Sequence, residues 1–328
     1  MKNKWAWVVL GVIILAAGYF LLKPVQPLKE VTAIMPFIAN SEWLGFYAAD
    51  LKGYYAAEGL KVNLEYTDQG GFAAIKQVAS SNADFGYTTG DSLIIGRSQG
   101  LPVVAIYQQG QTNEFGLIYK KGKIKKPQDL AGKTIAIPGP NSPVDIAAKA
   151  ILKNSGVNLA SVNFVPVGAG LIPALLQDRA DAIAGFIIHE LILKAEGVDY
   201  GVWYGKDFNA DFAGGSILTS DKLLSNDPDL AARFVRATDK GFRYAMANAE
   251  EMVDGYIAKF NPQAAKDRQL ELDYWTRQVN EVYLPEQFTP GSINDTQWQV
   301  TQDTLFDLGL ITQKTDLSKA YTKAFLSK

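Results

Sequence analysis

Three pairs of residues recur at one fixed separation: Gly59 with Gly156, Asp84 with Asp181, and Gly100 with Gly197, each 97 positions apart. Their contexts agree. KGYYAAEGLKVNLEY stands against KAILKNSGVNLASVNFVPV, NADFGY against RADAIAGF, and SQGLPVVAIY against KAEGVDYGVWY. Each copy has a helix stopped by glycine, a strand, a second helix, an Ala-Asp pair opening a short strand, a third helix, a glycine and a strand. Two similar α/β units in tandem are expected, and a chain of 328 residues can bury a core in each.

The local patterns fit that reading. EVTAIMPF is an apolar β-rich run, and in LGFYAADLKGYYAAEGL the apolar residues fall near helical spacing up to Gly59. NSPVDIAAKAILKNSG begins with Ser142 at a cap, Pro143 at the first helical position and Asp145 three residues after the cap. Strands alternating with such helices predict mostly parallel sheets covered on both faces, whose ligands bind beyond the carboxyl ends of the strands. The loops there read PFIANSEW, TDQGG, YTTGDS, YQQGQTN, PGPNSP, VGAG and GFIIHE.

Those loops supply the candidate ligand-binding residues. Thr88, Thr89 and Ser92 offer hydroxyls at a helix N-terminus, where plain capping by Asp91 or Ser92 can hold at the same time. Asn40, Asn141 and Ser142 add polar groups on neighbouring loops. Trp43, just after the first strand, is read as a face for stacking a planar ligand, with an ordinary packed aromatic as the alternative. Tyr87 and Phe186, at the ends of the two matching strands, could complete a sandwich. Asp84 and Asp181 are read as architecture, hydrogen-bonding backbone before each strand.

The N-terminus carries a different signal. Lys2 and Lys4 precede an uncharged run from Trp5 to Leu22, and Lys23 opens a Pro-containing polar linker. That run is at the short end of a membrane span, and the leading lysines favour a cytoplasmic N-terminus with the remainder exported. LAAG, residues 15–18, resembles a lipoprotein box with Gly18 in place of cysteine, so lipidation is excluded. An uncleaved anchor over 1–23 with a linker over 24–30 is expected, and a cleaved signal is the alternative.

Composition narrows the functional classes. The chain has 32 basic and 34 acidic residues and no basic stripe, so nucleic acid is set aside as a partner. Zero cysteines exclude disulfides, a thiolate nucleophile and a Cys-ligated metal, and His189, the single histidine, makes no metal site. No cofactor and no catalytic residue is expected. No P-loop and no Gly-x-Gly-x-x-Gly after a strand is present.

Five stretches in order resemble one family: GFYAADLKGYYAAEGLKVNLEY, ADFGYTTGDSLIIGRSQGLPVVAI, KKPQDLAGKTIAIPG, LIPALLQDRADAIAGF and TSDKLLSNDPDLAARFVRATDKGFRYAMANAEEMVDGY. The chain is similar to the extracytoplasmic substrate-binding proteins of ABC importers, in the branch that includes nitrate, sulfonate, taurine and thiamine-precursor pyrimidine binders. The resemblance implies an α/β, two-lobed periplasmic-binding-protein fold of type II, with a two-strand hinge and a ligand trapped by closure. Lobe I would be 31–112 plus 213–328 and lobe II 113–212. GLIYKKG and FAGGSILTS would be the crossovers, with Gly214 and Gly215 easing the hinge. A small-molecule solute, an ABC permease and its ATPase are the implied partners of a monomer tethered outside the cytoplasm.

The resemblance also bears on the ligand. His189-Glu190 falls where pyrimidine-binding relatives carry a polar residue followed by Glu, which makes Glu190 a candidate acceptor for ligand N–H groups. The strand-end loops contain Glu42, Asp91, Asp145 and Glu190 but no arginine, a balance that disfavours an anion. A thiamine-precursor pyrimidine is the first expectation and a flavin the second, with a sulfonate, taurine or nitrate as the alternative. Eukaryotic relatives are pyrimidine synthases using a histidine, lysine-bound pyridoxal phosphate and a cysteine-rich motif. With no cysteine and its histidine in the second lobe, this chain is not expected to be such an enzyme.

Overall fold

The computed structural model describes residues 27–67, 70–122, 124–284 and 286–325, so the expected anchor over 1–23 lies outside the described residues. Ten strands form two five-stranded sheets. The first contains β1 (Lys29–Pro36), β2 (Leu60–Thr67), β3 (Phe85–Thr88), β4 (Val103–Gln108) and β10 (Ser216–Ser220), in the order β2-β1-β3-β10-β4. The second contains β5 (Gly116–Lys120), β6 (Thr134–Ile137), β7 (Asn163–Pro166), β8 (Ala182–Gly185) and β9 (Tyr200–Tyr204), in the order β7-β6-β8-β5-β9.

The two orders are the same once the units are laid over each other. In each sheet one strand runs antiparallel to its neighbours: β10 against β3 and β4, and β5 against β8 and β9. The sequence repeat thus becomes a repeat of topology. Both glycine pairs are left-handed in each copy: Gly59 and Gly156 at φ 73° and 79°, Gly100 and Gly197 at φ 83° and 70°. A side chain there would be strained, which explains glycine at each helix stop.

Asp84 and Asp181 complete the correspondence. The Thr32 N–H donates to Asp84 Oδ2 at 2.9 Å, and the Thr134 N–H donates to Asp181 Oδ2 at 2.9 Å. Each aspartate fastens the neighbouring strand of its sheet, β1 or β6, across the strand start. The bond reaches across the sheet instead of closing a local turn.

The sheets are joined by two segments, 109–115 between β4 and β5 and 205–215 between β9 and β10. The predicted crossovers GLIYKKG and FAGGSILTS therefore contribute most of their residues to β5 and β10 themselves. Gly214 and Gly215 have a steric role. A Cβ on Gly214 would lie 2.5 Å from Gly110 O, and one on Gly215 would lie 1.8 Å from the Tyr87 hydroxyl. The close approach of the joining segments, more than torsional freedom, requires glycine there.

Residues after the second sheet's chain return over both. Helix Pro228–Ala247 is capped by Asp227, which accepts from the Leu230 N–H at 3.0 Å, and has Pro228 at its first position. Helix Arg268–Arg277 runs into a π-helical turn, Gln278–Tyr283, that lies against the joining segments: the Gln111 N–H donates to Val282 O at 2.8 Å. Helix Asp295–Asp307 closes the other side, where Trp298 Nε1 donates to Gln108 Oε1 at 3.0 Å and Gln297 bonds both Gln111 O and Asp211. Among the described residues no helix is long and apolar enough to cross a membrane.

Candidate functional site

The carboxyl ends of β1, β3, β6, β7 and β8 converge on one cavity of about 960 Å³. This is where a doubly covered parallel sheet leaves its loops and helix starts free to meet a ligand. The joining segments form its floor through Gly110, Thr112, Asn113, Glu114, Gly214 and Gly215, and residues from Asn261 to Tyr283 form a further wall.

Eight of the sequence candidates line this cavity: Asn40, Tyr87, Thr88, Thr89, Ser92, Asn141, Ser142 and Phe186. Thr88 ends β3 with 1% of its surface exposed, and its hydroxyl has no partner among the described residues. Asn40 accepts from the Glu42 N–H at 2.8 Å and caps the short turn Ser41–Trp43. Asn141 is held at φ 61°, with its N–H donating to Asp145 Oδ2 at 2.8 Å.

Several helix starts face the cavity, and two of them are already supplied with negative charge by buried aspartates. In helix Gly90–Ser98 the first turn holds Asp91, fully buried, where burial pushes the carboxyl up to about 6. In helix Pro143–Asn154 the first turn holds Asp145, also fully buried, which accepts from Lys149 Nζ at 2.7 Å. A carboxylate in the first turn uses the N-terminal dipole that a ligand anion would need.

Trp43 and Glu190 are not brought to the cavity. Trp43 is fully buried in the first sheet's core, its Nε1 donating to Ile38 O at 3.2 Å and its ring meeting the Tyr87 ring at 4.8 Å, edge to face. It offers no open face for stacking; it supports Tyr87, which does line the cavity. The packed-aromatic alternative is the one the structure shows, because the Ser41–Trp43 turn directs the indole back under β1 and β3. Glu190 is also buried. It accepts from the Tyr204 hydroxyl at 2.6 Å and pairs with Arg277 at 3.4 Å, which ties helix Ile187–Ala195 to helix Arg268–Arg277.

The histidine immediately before it, His189, does line the cavity. His189 Nδ1 accepts from the Phe186 N–H at 3.1 Å, and burial pulls the imidazole down to about 4. It is therefore neutral at pH 7, with its proton on Nε2 as a donor.

The residues that sequence reasoning missed are Glu114, Tyr274, Gln278 and Tyr283. Glu114, 8% exposed, lies in the first joining segment and accepts from the Ile187 N–H at 3.2 Å and from the Tyr274 hydroxyl at 3.2 Å. Burial pushes its carboxyl up to about 7. Glu42 lines the same cavity, and burial and then the Glu114 charge hold its carboxyl well above the usual range. Tyr87, Tyr274 and Tyr283 are close enough to both carboxylates for the charges to raise their phenols, after burial, so all three remain protonated donors. The one lysine on the wall, Lys266, is exposed and sits beside Asp267; no arginine lines the cavity among the described residues.

The arrangement offers aromatic faces, hydroxyl and imidazole donors, and the carboxyls of Glu42 and Glu114 in a large cleft. A family model described as NMT1/THI5 like matches residues 40–252. The riboflavin-binding protein RibY of Chloroflexus aurantiacus is 29% identical over 316 residues, covering 92% of this chain and 87% of that one. The formylaminopyrimidine-binding protein of Halalkalibacterium halodurans is 26% identical over 240 residues, covering 70% of each. The crystal structure of the periplasmic aliphatic sulphonate binding protein SsuA from Escherichia coli matches with a TM-score of 0.71 at 14% identity, covering 92% of this chain and 94% of that one. At that identity the likeness is one of fold, the two-lobed periplasmic-binding-protein fold.

Proposed function

The chain belongs to the NMT1/THI5-like family, and from that premise we propose that it is the solute-binding component of an ABC importer, holding a neutral nitrogen heterocycle in the cavity between its sheets. The observation that carries the ligand class is the lining: aromatic rings, hydroxyls and the carboxyls of Glu42 and Glu114, with no arginine among the described residues and with two of the helix starts there occupied by buried aspartates. A planar ring system with N–H donors and few charges suits that wall. A sulfonate, nitrate or taurine would meet carboxylates where it needs donors.

Within that class a flavin is favoured over a single pyrimidine ring. The cavity, at about 960 Å³, lies at the upper end of the range for ligand pockets, which suits a three-ring system with a polyol chain. The similarity to a riboflavin-binding protein along 92% of the chain supports the same choice. The reading includes no chemical step. The wall residues bind and orient, and release is to a permease and its ATPase. The lobes, 31–112 with 213–328 and 113–212, would close about the two joining segments. The protein would work outside the cytoplasm, anchored by or cleaved after the apolar N-terminal run.

Riboflavin, formylaminopyrimidine and taurine titrated into the purified full-length protein test the reading. Fluorescence quenching and calorimetry should give saturable binding of riboflavin at about micromolar Kd or tighter, corresponding to ~8 kcal/mol. Tight binding of taurine with none of either heterocycle would reverse the assignment.

A further inference from the structure

Resting on that heterocycle reading, we propose that Phe37 is the platform on which the ligand's planar ring stacks, the part that Trp43 is too deeply buried to take. Four large apolar side chains stand exposed among the described residues: Leu28, Phe37, Ile38 and Phe306. Two of them, Phe37 at 47% and Ile38 at 69%, are neighbours in the turn after β1 and line the cavity. Exposed apolar surface inside a concave site is surface that a ligand can cover.

The backbone at Phe37 is left-handed, with φ 64°. β1 ends at Pro36, and the chain turns away from the sheet at the next residue. Glycine makes such a turn freely, whereas a residue with a Cβ is strained there. Glycine would serve the turn better, so the ring is what this position supplies. The loop around it is fixed. The Phe37 N–H donates to Thr67 O at 2.6 Å, Trp43 Nε1 donates to Ile38 O at 3.2 Å, and Asn261 Nδ2 donates to Ala39 O at 3.0 Å. A ring carried on a backbone held at three successive residues needs little ordering when a ligand arrives. Gly70, also left-handed at φ 76°, meets the tip of the ring: a Cβ there would lie 3.7 Å from Phe37 Cζ. Glycine at 70 keeps that end of the ring uncovered.

What the platform selects follows from its chemistry. A phenyl ring makes no hydrogen bond and gains most from a flat aromatic surface laid on it with an offset. Phe186 lines the same cavity from the second sheet, just after β8, and gives a flat ring a second aromatic neighbour. A polyol chain, or the alkyl chain of a sulfonate, gains only apolar contact from Phe37.

The test titrates riboflavin, and lumichrome, which keeps the three fused rings and lacks the polyol, into full-length Phe37→Gly, Phe37→Leu and Phe37→Tyr. Phe306→Ala removes an exposed ring that does not line the cavity and serves as the control. Phe37→Gly should bind both ligands about thirtyfold more weakly. Its ligand-free melting temperature should hold or rise, because the turn is relieved of strain. Phe37→Leu should lose about fivefold, the share of aromatic geometry over apolar area. Phe37→Tyr and Phe306→Ala should bind as the unaltered protein does. Riboflavin affinity in Phe37→Gly within about twofold of the unaltered protein's overturns the platform while leaving the heterocycle reading intact. So does a melting temperature that falls together with the affinity, since the ring would then be packing for stability. A loss for riboflavin with none for lumichrome also overturns it, by placing the contact on the polyol. Absence of binding of riboflavin, lumichrome and formylaminopyrimidine to the unaltered protein overturns the heterocycle reading and the platform together.

Discussion

Replacing Trp43 with alanine empties a fully buried site beneath Tyr87. The expected result is a loss of about 3–5 kcal/mol of stability, the range for deleting a buried aromatic ring, measurable by chemical denaturation without any ligand. Trp43→Phe should recover much of it, and affinity should follow only as far as Tyr87 moves. Glu114 gives a prediction of opposite character. Its carboxyl is raised from 4.5 to about 7 in the folded chain, so the folded state holds the extra proton between those values. The stability linked to it is full below about pH 4.5 and is lost as pH rises through about 7. His189, lowered from 6.5 to about 4, has the reverse slope over its own window, stability rising with pH there. Melting curves of the ligand-free protein above pH 6.5 therefore leave the histidine out, and Glu114→Gln should reduce the decline that Glu114 shares with Glu42; a decline unchanged in that variant removes Glu114 as a source. The polar loop residues from Thr88 to Ser92 and at Asn141 and Ser142 were legible because strand ends and helix starts have sequence marks. Glu114 was not. It sits in a segment that sequence patterning marks only as a connection, and its burial is created by Tyr274, 160 residues further along.

At the scale of elements, the Asp84 and Asp181 clamps should be interchangeable in consequence. Asp84→Ala strands the Thr32 N–H and Asp181→Ala strands the Thr134 N–H, each costing about 1–3 kcal/mol. Denaturation midpoints of the two variants should fall by similar amounts, and a large loss in one with none in the other would show that the repeat is geometric but not energetic. The repeat itself was readable because a left-handed glycine and a strand-fastening aspartate are demands of local geometry, and local geometry writes itself into residue type. Helix Arg268–Arg277 was not readable as part of the site. The rule that ligands sit beyond strand ends says nothing about a helix returning from later in the chain, and RQLELDYWTR divides its side chains between two neighbours. Trp275 donates to Ala245 O at 3.2 Å, while Arg277 reaches Glu190 and the Tyr204 hydroxyl. Arg277→Met should leave Glu190 buried with only Tyr204, weaken the contact with helix Ile187–Ala195, and lower ligand affinity through faster dissociation. Stopped-flow release of bound flavin checks this: a dissociation rate equal to that of the unaltered protein would show that the contact does not hold the closed arrangement.

For the whole molecule, closure of the two sheets about the cavity would make ligand binding and compaction one event. Saturation with a ligand at 100 times its Kd should add ~2.7 kcal/mol to stability, and small-angle scattering should show a smaller radius of gyration. A raised melting point with an unchanged scattering curve would mean that the sheets do not move. The wall built by Tyr274, Gln278 and Tyr283 also has a consequence in time. Both sheets are complete in sequence at Ser220, but these three side chains follow some fifty residues later. A chain made and threaded from its N-terminus at about 5–20 residues per second therefore has two finished sheets and no finished binding site for several seconds. On the proposed reading of an exported binder, the protein would cross empty and would first take up solute on the side where its passage ends.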